Sequence, residues 1–481
     1  MTTSTTSPGR MAPGGVKIAA LATGFVMASL DTTVVNVAGA AIQADLDSTL
    51  TQLTWIVDGY ILTFASLLLL AGGLANRVGA RVVYQVGMAV FFFASLACAL
   101  APNAETLIVA RLVQGAGAAL FMPSSLSLLV HSFPEKKQRT RMLGLWSAIV
   151  ATSSGLGPTL GGLMVGAFGW PSIFLLNLPI GVIGTLLTRR YIAPVAGKPQ
   201  GLAIPGHVIG IVVLASISFG LIEGPQLGWA SAPVLGAAVV AVLAIGLLSL
   251  RERRATTHLM PWNLFRDKRF AGANLIGFLF NFALFGSIFM LGLFFQNARG
   301  ADPFEAGLQL LPMTIFFPIA NIVFSRISGR YGNGLLMTVF LTLAAVSTLS
   351  LVSMSEGTPY WVLALGVGAA NIGAGIISPG MTAVLVDAAG PEHANVSGSV
   401  LNADRQIGSL VGVAAMGVVM HAAPGWYTGA SVSFLLIGLS YGLGALVSWR
   451  MLLRPDRRET TAAEQRDPVR DDRARLGTGG S

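Results

Sequence analysis

Charge is the scarcest feature of this 481-residue chain: only 11% of its residues are charged, against about 25% in a typical soluble domain. Apolar residues make up 53%, and the mean hydropathy is +0.71. That balance excludes a soluble globular protein. It also excludes a disordered one, which needs high charge and few apolar groups. Cysteine is nearly absent. Cys98 stands alone, so there is no internal disulfide framework and no cysteine metal site. The five histidines, His131, His207, His258, His393 and His421, are scattered without ligand spacing. No metal and no cofactor are expected. Phosphate-binding glycine loops, HExxH and Ser-His-Asp patterns are all missing. An enzyme would therefore lack its catalytic constellation, and a transporter would draw on a proton gradient rather than on ATP. The net charge of +9 raises a nucleic-acid reading, which the placement of the charges removes.

What the chain has is long apolar runs. About 20 apolar residues cross a bilayer core. Fourteen such runs occur, at 17–41, 52–75, 79–101, 106–130, 142–167, 172–190, 205–222, 232–250, 270–292, 304–324, 333–354, 360–386, 396–420 and 429–450. The first is no cleavable signal, because residues 1–15 are polar and small, the run is too long, and Asp31 interrupts it. Fourteen crossings put both termini on one side. With that side cytoplasmic, 27 of the 30 Lys and Arg residues fall in cytoplasmic segments; Arg299 falls outside, and Arg111 and Arg405 lie within spans. This asymmetry follows the positive-inside rule and places the chain in the cytoplasmic membrane. Basic loops facing an anionic inner leaflet account for the excess charge without nucleic acid.

A long-period repeat runs through the chain. Residues 72–79 (GGLANRVG) are echoed at 325–332 (SRISGRYG), Pro123 at Pro379, Pro134 and Glu135 at Pro391 and Glu392, and 157–161 (GPTLG) at 408–412 (GSLVG). The offsets of 253, 256, 257 and 251 are nearly constant. Chance matching among 58 glycines competes with duplication, and four matches in order weaken it. The expected architecture is an all-α membrane protein in two six-helix halves. It comprises a cytoplasmic N-terminus (1–16), a six-helix bundle (17–190), two inserted helices with flanking loops (191–269), a second six-helix bundle (270–450) and a disordered cytoplasmic tail (451–481). Duplicated halves around a midplane site are the plan of secondary transporters.

Few polar groups interrupt the spans, and each demands a reason. Asp31, within LDTTVVNVA (30–38), lies 14 residues past Lys17, about 21 Å along a helix. A carboxyl at that depth is costly and marks a functional site by default. Its physical use is proton binding, since burial favours the neutral acid and water or a cation favours the carboxylate. Packing hydrogen bonds are the alternative. Asp58, within WIVDGY (55–60), counts back from Arg77 to the outer half, with Trp55 at the outer interface. It is expected to be partly wet. Arg111, within RLVQGAGAA (111–119), also lies in the outer half, on one face with Gln114, Gly115 and Ala118. An Arg in a membrane needs a partner, and Asp31 and Asp58 lie at compatible depth. Approach of the guanidinium would hold a proton off the carboxylate and withdrawal would admit it, a coupling switch; snorkelling to the outer interface is the alternative.

The short cytoplasmic loop at 72–81 carries Gly72, Asn76, Arg77, Gly79 and Arg81. Its glycines permit a tight turn. Its arginines can bond helix C-terminal carbonyls or neighbouring acids as a conformational latch, or serve only as positive-inside anchors. Gly157 and Gly161 form a GxxxG face, with Pro158 interrupting the helical ladder and Gly162 following. That pattern suits a moving interface or static close packing. Asn36, Gln114, Asn281, Asn402 and Gln406 are candidates for lining a substrate cavity, with packing hydrogen bonds as the competing role. Asp404 and Arg405 are adjacent and so do not face each other on a helix.

At these residues the sequence resembles the major facilitator superfamily, in its fourteen-helix drug:proton antiporter branch, over about residues 16–450. The resemblance implies the major-facilitator fold and export of a toxic small molecule in exchange for protons. It implies coupling and cation or proton handling for Asp31, Asp58 and Arg111, and the antiporter motif for Gly157, Pro158, Gly161 and Gly162. Residues 51–77 and 301–318 resemble one antibiotic exporter of that branch in particular. Two positions depart from the family pattern. Asn76 stands where the loop motif usually has Asp, which removes a charge from the latch, and Gly39 and Ala40 stand in place of Leu-Pro. The expected function is proton-coupled efflux by alternating access, conferring resistance, with a small-molecule drug, protons and the lipid bilayer as partners and a monomer as the working unit. Proton-coupled uptake or exchange of a small metabolite is one rival, separated by the direction of transport. A non-transporting membrane sensor or scaffold is the other, separated by substrate-dependent proton movement.

Overall fold

A bilayer offers no partner for backbone polar groups, so each apolar run must satisfy its own N–H and C=O groups as a helix. The computed structural model describes residues 14–197, 204–255 and 262–453, and among them there are helices and no strand. The helices are α1 (Gly14–Leu46), α2 (Leu50–Val78), α3 (Ala80–Ala99), α4 (Ala104–Ser132), α5 (Lys136–Phe168), α6 (Pro171–Leu175), α7 (Asn177–Tyr191), α8 (Ile204–Leu227), α9 (Ala232–Arg254), α10 (Lys268–Asn297), α11 (Pro303–Gln309), α12 (Leu311–Tyr331), α13 (Asn333–Leu349), α14 (Tyr360–Ala422) and α15 (Trp426–Val447). The fourteen apolar runs fall mainly on these helices, with single-residue breaks at Leu176 and Leu310. Among the described residues, nine helical stretches are long and apolar enough to cross a bilayer, or ten with the bent α2. The first helix starts three residues before the expected boundary. Residues 1–13 and the expected tail from 454 onward lie outside the described residues.

Local chemistry sets the helix ends. Thr49 opens α2 with a capping box: its Oγ1 accepts from the Gln52 N–H at 3.1 Å, and Gln52 Oε1 accepts from the Thr49 N–H at 2.9 Å. Asn103 opens α4 by accepting from the Thr106 N–H at 2.9 Å. Helices α2 and α3 meet at Gly79 (φ 111°), and α12 and α13 at Gly332 (φ 75°). These are the paired positions of the 72–79 and 325–332 echo, and both adopt a backbone that only glycine takes without strain. Their surroundings differ. A methyl group built on Gly79 falls 2.7 Å from the Val195 carbonyl oxygen, whereas nothing lies near one on Gly332. Gly332→Ala is therefore expected to destabilise by the backbone strain alone, about 1–3 kcal/mol. Gly79→Ala adds a backbone clash and should lower the unfolding temperature further. Equal shifts in thermal unfolding of the purified variants would contradict this account.

Runs 12 and 13 are expected as separate helices, but helical backbone continues from Tyr360 to Ala422. Drawn straight, 63 residues would extend about 95 Å. Yet the Tyr360 ring lies 6.3 Å from Phe295, and the Tyr427 ring, just beyond the other end, lies 5.2 Å from Phe294. Both ends of α14 sit beside one turn of α10, so α14 doubles back into two arms with no loop between them.

The arms of α14 repeat the packing of the first half. Methyl groups built on Gly408 and Gly412 would strike the backbone of α10 at Phe278 and Phe282. Methyl groups built on Gly157 and Gly161 of α5 would likewise strike Thr33 and Val34 of α1. Both pairs bring helices close by omitting a side chain. By contrast, α8 and α9 are peripheral. They pair with each other, and α8 bridges α2 and α14. Only 11% and 17% of their apolar spans are buried, against 67% in α1 and 78% in α10.

Candidate functional site

The buried charges converge where α1, α2, α3, α4 and α7 meet. Asp31 of α1 and Arg111 of α4 form an ion pair through Oδ2 and Nη1, and each side chain is only 1% exposed. Arg111 Nη1 also donates to Gln114 Oε1 at 2.7 Å, and its Nε donates to the Ile56 carbonyl of α2 at 2.9 Å. The guanidinium carbon lies 4.3 Å from the centroid of the Tyr60 ring and 5.8 Å from that of Phe174, so aromatic faces add to its stabilisation. The other carboxylate oxygen, Oδ1 of Asp31, accepts from Gln114 Nε2 at 2.8 Å and from Asn177 Nδ2 at 3.2 Å. Ser95 of α3 completes the network, accepting from Gln114 at 2.9 Å. Burying two charges in this way is tolerable because they are paired and their remaining valences are filled.

The structure thus brings Asp31, Arg111 and Gln114 together and leaves Asp58 apart. Depth in the helix predicts a partly wet outer half for Asp58; instead it is 0% exposed, and neither carboxyl oxygen has a hydrogen-bond partner. The reason is rotation. Thr63 and Gly59 turn one face of α2 to α4, while Thr54 turns the opposite side to α14. Asp58, four residues past Thr54, falls on that second side, away from Arg111. Ser95, Asn177 and Tyr60 belong to the network and were not among the expected residues. Their only sequence signal is a lone polar atom within an apolar helix.

The loop after α2 packs against the end of α7 and the segment that follows it. Gly72 is half-buried near Pro123, and Asn76 and Arg77 are exposed. Gly79 lies against residue 195, and a methyl group on Gly197 would strike the Arg77 carbonyl. Arg81 Nη2 donates to the Arg189 carbonyl in the last turn of α7 at 2.6 Å. The 157–162 segment is divided between two neighbours. Gly157 and Gly161 face α1, whereas a methyl on Gly162 falls 2.5 Å from the Pro303 carbonyl oxygen of α11, and the Pro158 carbonyl lies 3.1 Å from one on Gly307. Among the expected cavity residues, Asn36 and Asn281 are buried, and their amides donate to Thr32 and Gly277 within their own helices at 2.9 and 2.8 Å. Asn402 is exposed and Gln406 half-buried.

Contacts between the first bundle and the later helices gather at the end where α1 joins α2. Gln296 Nε2 donates to the Val37 carbonyl at 2.8 Å. A methyl on Gly292 falls 2.6 Å from the Asn36 carbonyl oxygen, and one on Gly417 falls 2.9 Å from Thr54 Oγ1. Trp55 Nε1 donates to Glu223 Oε1 of α8 at 2.7 Å. With the α5–α11 contact, these form a seal of small residues and backbone atoms. Among the described residues, no group of three or more His, Cys, Asp or Glu lies together to hold a metal ion.

Comparison with known proteins places this architecture. The chain is 72% identical over 454 residues to a methylenomycin A resistance protein of Streptomyces coelicolor, covering 94% of this chain and 96% of the relative. It is 49% identical over 433 residues to a methylenomycin A resistance protein of Bacillus subtilis, covering 90% and 93%. A tetracenomycin C resistance and export protein of Streptomyces glaucescens is 34% identical over 415 residues, covering 84% and 76%. In structure, the chain matches the crystal structure of an auto-inhibited peptide transporter of the POT family with a TM-score of 0.66 at 18% identity, covering 92% of this chain and 97% of that one. The sequence profile of the Major Facilitator Superfamily matches residues 21–413, and the chain belongs to that superfamily.

Proposed function

We propose that this protein exports an antibiotic of the methylenomycin A kind across the cytoplasmic membrane in exchange for protons. The buried Asp31–Arg111 pair carries the reading. It is a carboxylate inside an apolar bundle whose charge is balanced by one guanidinium. A proton taken up by Asp31 cancels the attraction and turns an acceptor into a donor, so Arg111 loses its reason to stay. Helix α1 also supplies part of the seal, through Asn36 and Val37. Release of α1 from α4 is thereby linked to opening of the α1–α2 end. Such a link drives transport only if the proton is held more tightly in one conformation than in the other, and the presence or absence of Arg111 supplies that difference.

In this reading two six-helix bundles, 17–190 and 270–450, rock about a central site, with α8 and α9 inserted between them and fourteen crossings in all. The basic loops support a cytoplasmic α2–α3 end and cytoplasmic termini; in that orientation the seal faces outward and the conformation is inward-facing. Asp58, buried and unpartnered, is a second proton station, and the 72–81 loop is a latch weakened by Asn76. The antibiotic follows from the two methylenomycin A resistance proteins that the chain resembles along 94% and 90% of its length. The test uses inside-out vesicles with an acidic lumen, to which methylenomycin A is added. Drug accumulation with proton release is expected. Drug release driven by the same gradient would instead indicate uptake in the cell, and proton movement indifferent to any drug would remove the coupling.

A further inference from the structure

We propose that Arg405, on the second arm of α14, recognises an anionic group of the transported molecule, so that the substrate class is a small apolar acid bearing a carboxylate. The inference rests on the export reading above and adds the charge of its substrate.

Arg405 lies deep in the bundle. Its Cγ is 3.7 Å from a methyl group built on Gly277, nine residues into α10 and about 14 Å from that helix's first residue. At such depth an ionisable side chain is expected to pair with another protein group. Arg405 does not: among the described residues its guanidinium makes no hydrogen bond and no ion pair. It cannot shed its proton to escape the cost. Asp404 is no partner, since adjacent residues point about 100° apart on a helix. Its carboxyl turns instead toward Gly277, with Oδ2 3.3 Å from the built methyl.

The direction Arg405 faces is set by the packing of its helix. Gly408 and Gly412 turn one side to α10, and Gly417 turns the opposite side to α2. Asn402, Arg405, Gln406 and Ser409 form a stripe at i, i+3, i+4 and i+7 between those two sides. The stripe therefore looks into the space between the two bundles rather than into lipid. Asn402 is exposed, and Arg405 and Gln406 are half-buried, so the stripe is reachable. The acids of the interior are not reachable in the same way. Asp31 is consumed by Arg111, Asp58 is fully buried, and Oδ2 of Asp404, the neighbour of Arg405, is buried against Gly277. The accessible charge in this space is thus positive, and two amides stand beside it. A guanidinium fork matches a carboxylate with two parallel hydrogen bonds.

The experiment uses the purified full-length protein in detergent and two probes of the same apolar body, 1-naphthoate and 1-naphthylmethylammonium. Naphthoate is expected to raise the unfolding temperature, and the ammonium is not. In Arg405→Gln the affinity for naphthoate should fall about tenfold to a hundredfold, with Arg405→Lys intermediate because it keeps the charge and loses the fork. The overturning results are equal or greater stabilisation by the ammonium, no stabilisation by naphthoate, or an effect that Arg405→Gln leaves unchanged. Added phosphatidylglycerol that abolishes the naphthoate shift would assign the site to a lipid headgroup and likewise overturn the proposal. In proteoliposomes Arg405→Gln should raise the KM for methylenomycin A more than it lowers kcat. Wild-type protein that binds naphthoate through Arg405 but moves no methylenomycin A would defeat the export reading and leave the anion site standing.

Discussion

Asp31→Asn is expected to abolish drug-driven proton movement and to reduce resistance to that of cells lacking the protein. Folded protein should still reach the membrane. Asparagine preserves the shape of the site, and its carbonyl can still accept from Gln114 and Asn177 as Oδ1 does now. What disappears is the negative charge and the site for a proton. The remaining difficulty is Arg111, whose charge stays buried with no counter-charge. Removing one member of a buried pair typically destabilises by about 3–5 kcal/mol, so reduced stability alone could imitate lost coupling. The double variant Asp31→Asn, Arg111→Gln separates the two. It removes both charges, and its thermal stability should recover most of the loss. Its transport should not recover, because no proton site returns. Normal resistance in Asp31→Asn at wild-type abundance would sink the coupling role of this carboxyl. Restored transport in the double variant would reduce the pair to packing.

How much of this site can be read from sequence depends on what each inference must know. The helical runs are legible because hydropathy sums over some twenty residues and ignores the register of any one of them. The pairing of Asp31 with Arg111 is legible because so few charges interrupt the spans. The assignment of Asp58 is not. Depth alone gives it the same standing as Asp31, and only the rotation of α2, set by Gly59 and Thr63 against α4, turns it away. A single residue of rotation moves a side chain by about 100°, which no composition records. Ser95 and Asn177 are hidden for a related reason: one hydroxyl or amide in an apolar helix becomes meaningful only when another helix brings it a partner. The doubling of α14 escapes in a different way. The polar stretch near 390 announces a reversal, and the reversal occurs, but polarity does not say that the backbone will remain helical through it.

The second large effect is expected at Gly157. A methyl group there would overlap the Thr33 hydroxyl and approach Thr33 Cβ to 3.0 Å. Thr33 cannot readily turn aside. It is β-branched and stiff at its first torsion, and its hydroxyl donates to the carbonyls of Ser29 and Leu30 at 3.1 and 3.0 Å. One turn further on, a methyl on Gly161 would come within 2.8 Å of Val34. Helix α5 must therefore back away from α1 to admit any side chain at 157. Overpacking of this kind typically destabilises by about 1–3 kcal/mol. Displacement of α1 also moves Asp31, two residues before Thr33, relative to Arg111. Gly157→Ala should thus lower both the unfolding temperature and methylenomycin A transport in vesicles, and Gly157→Leu should abolish transport. Adding Thr33→Ala removes the obstructing hydroxyl and leaves only Cβ, 3.0 Å from the new methyl. It is expected to restore most of the stability and transport of Gly157→Ala, and little of Gly157→Leu, whose side chain still meets the backbone of α1. If Gly157→Ala matches the wild type in both measurements, α5 and α1 do not need their close approach, and the antiporter segment owes its glycines to some other demand. If stability returns with Thr33→Ala and transport does not, the glycine serves movement between the helices beyond the contact they make at rest.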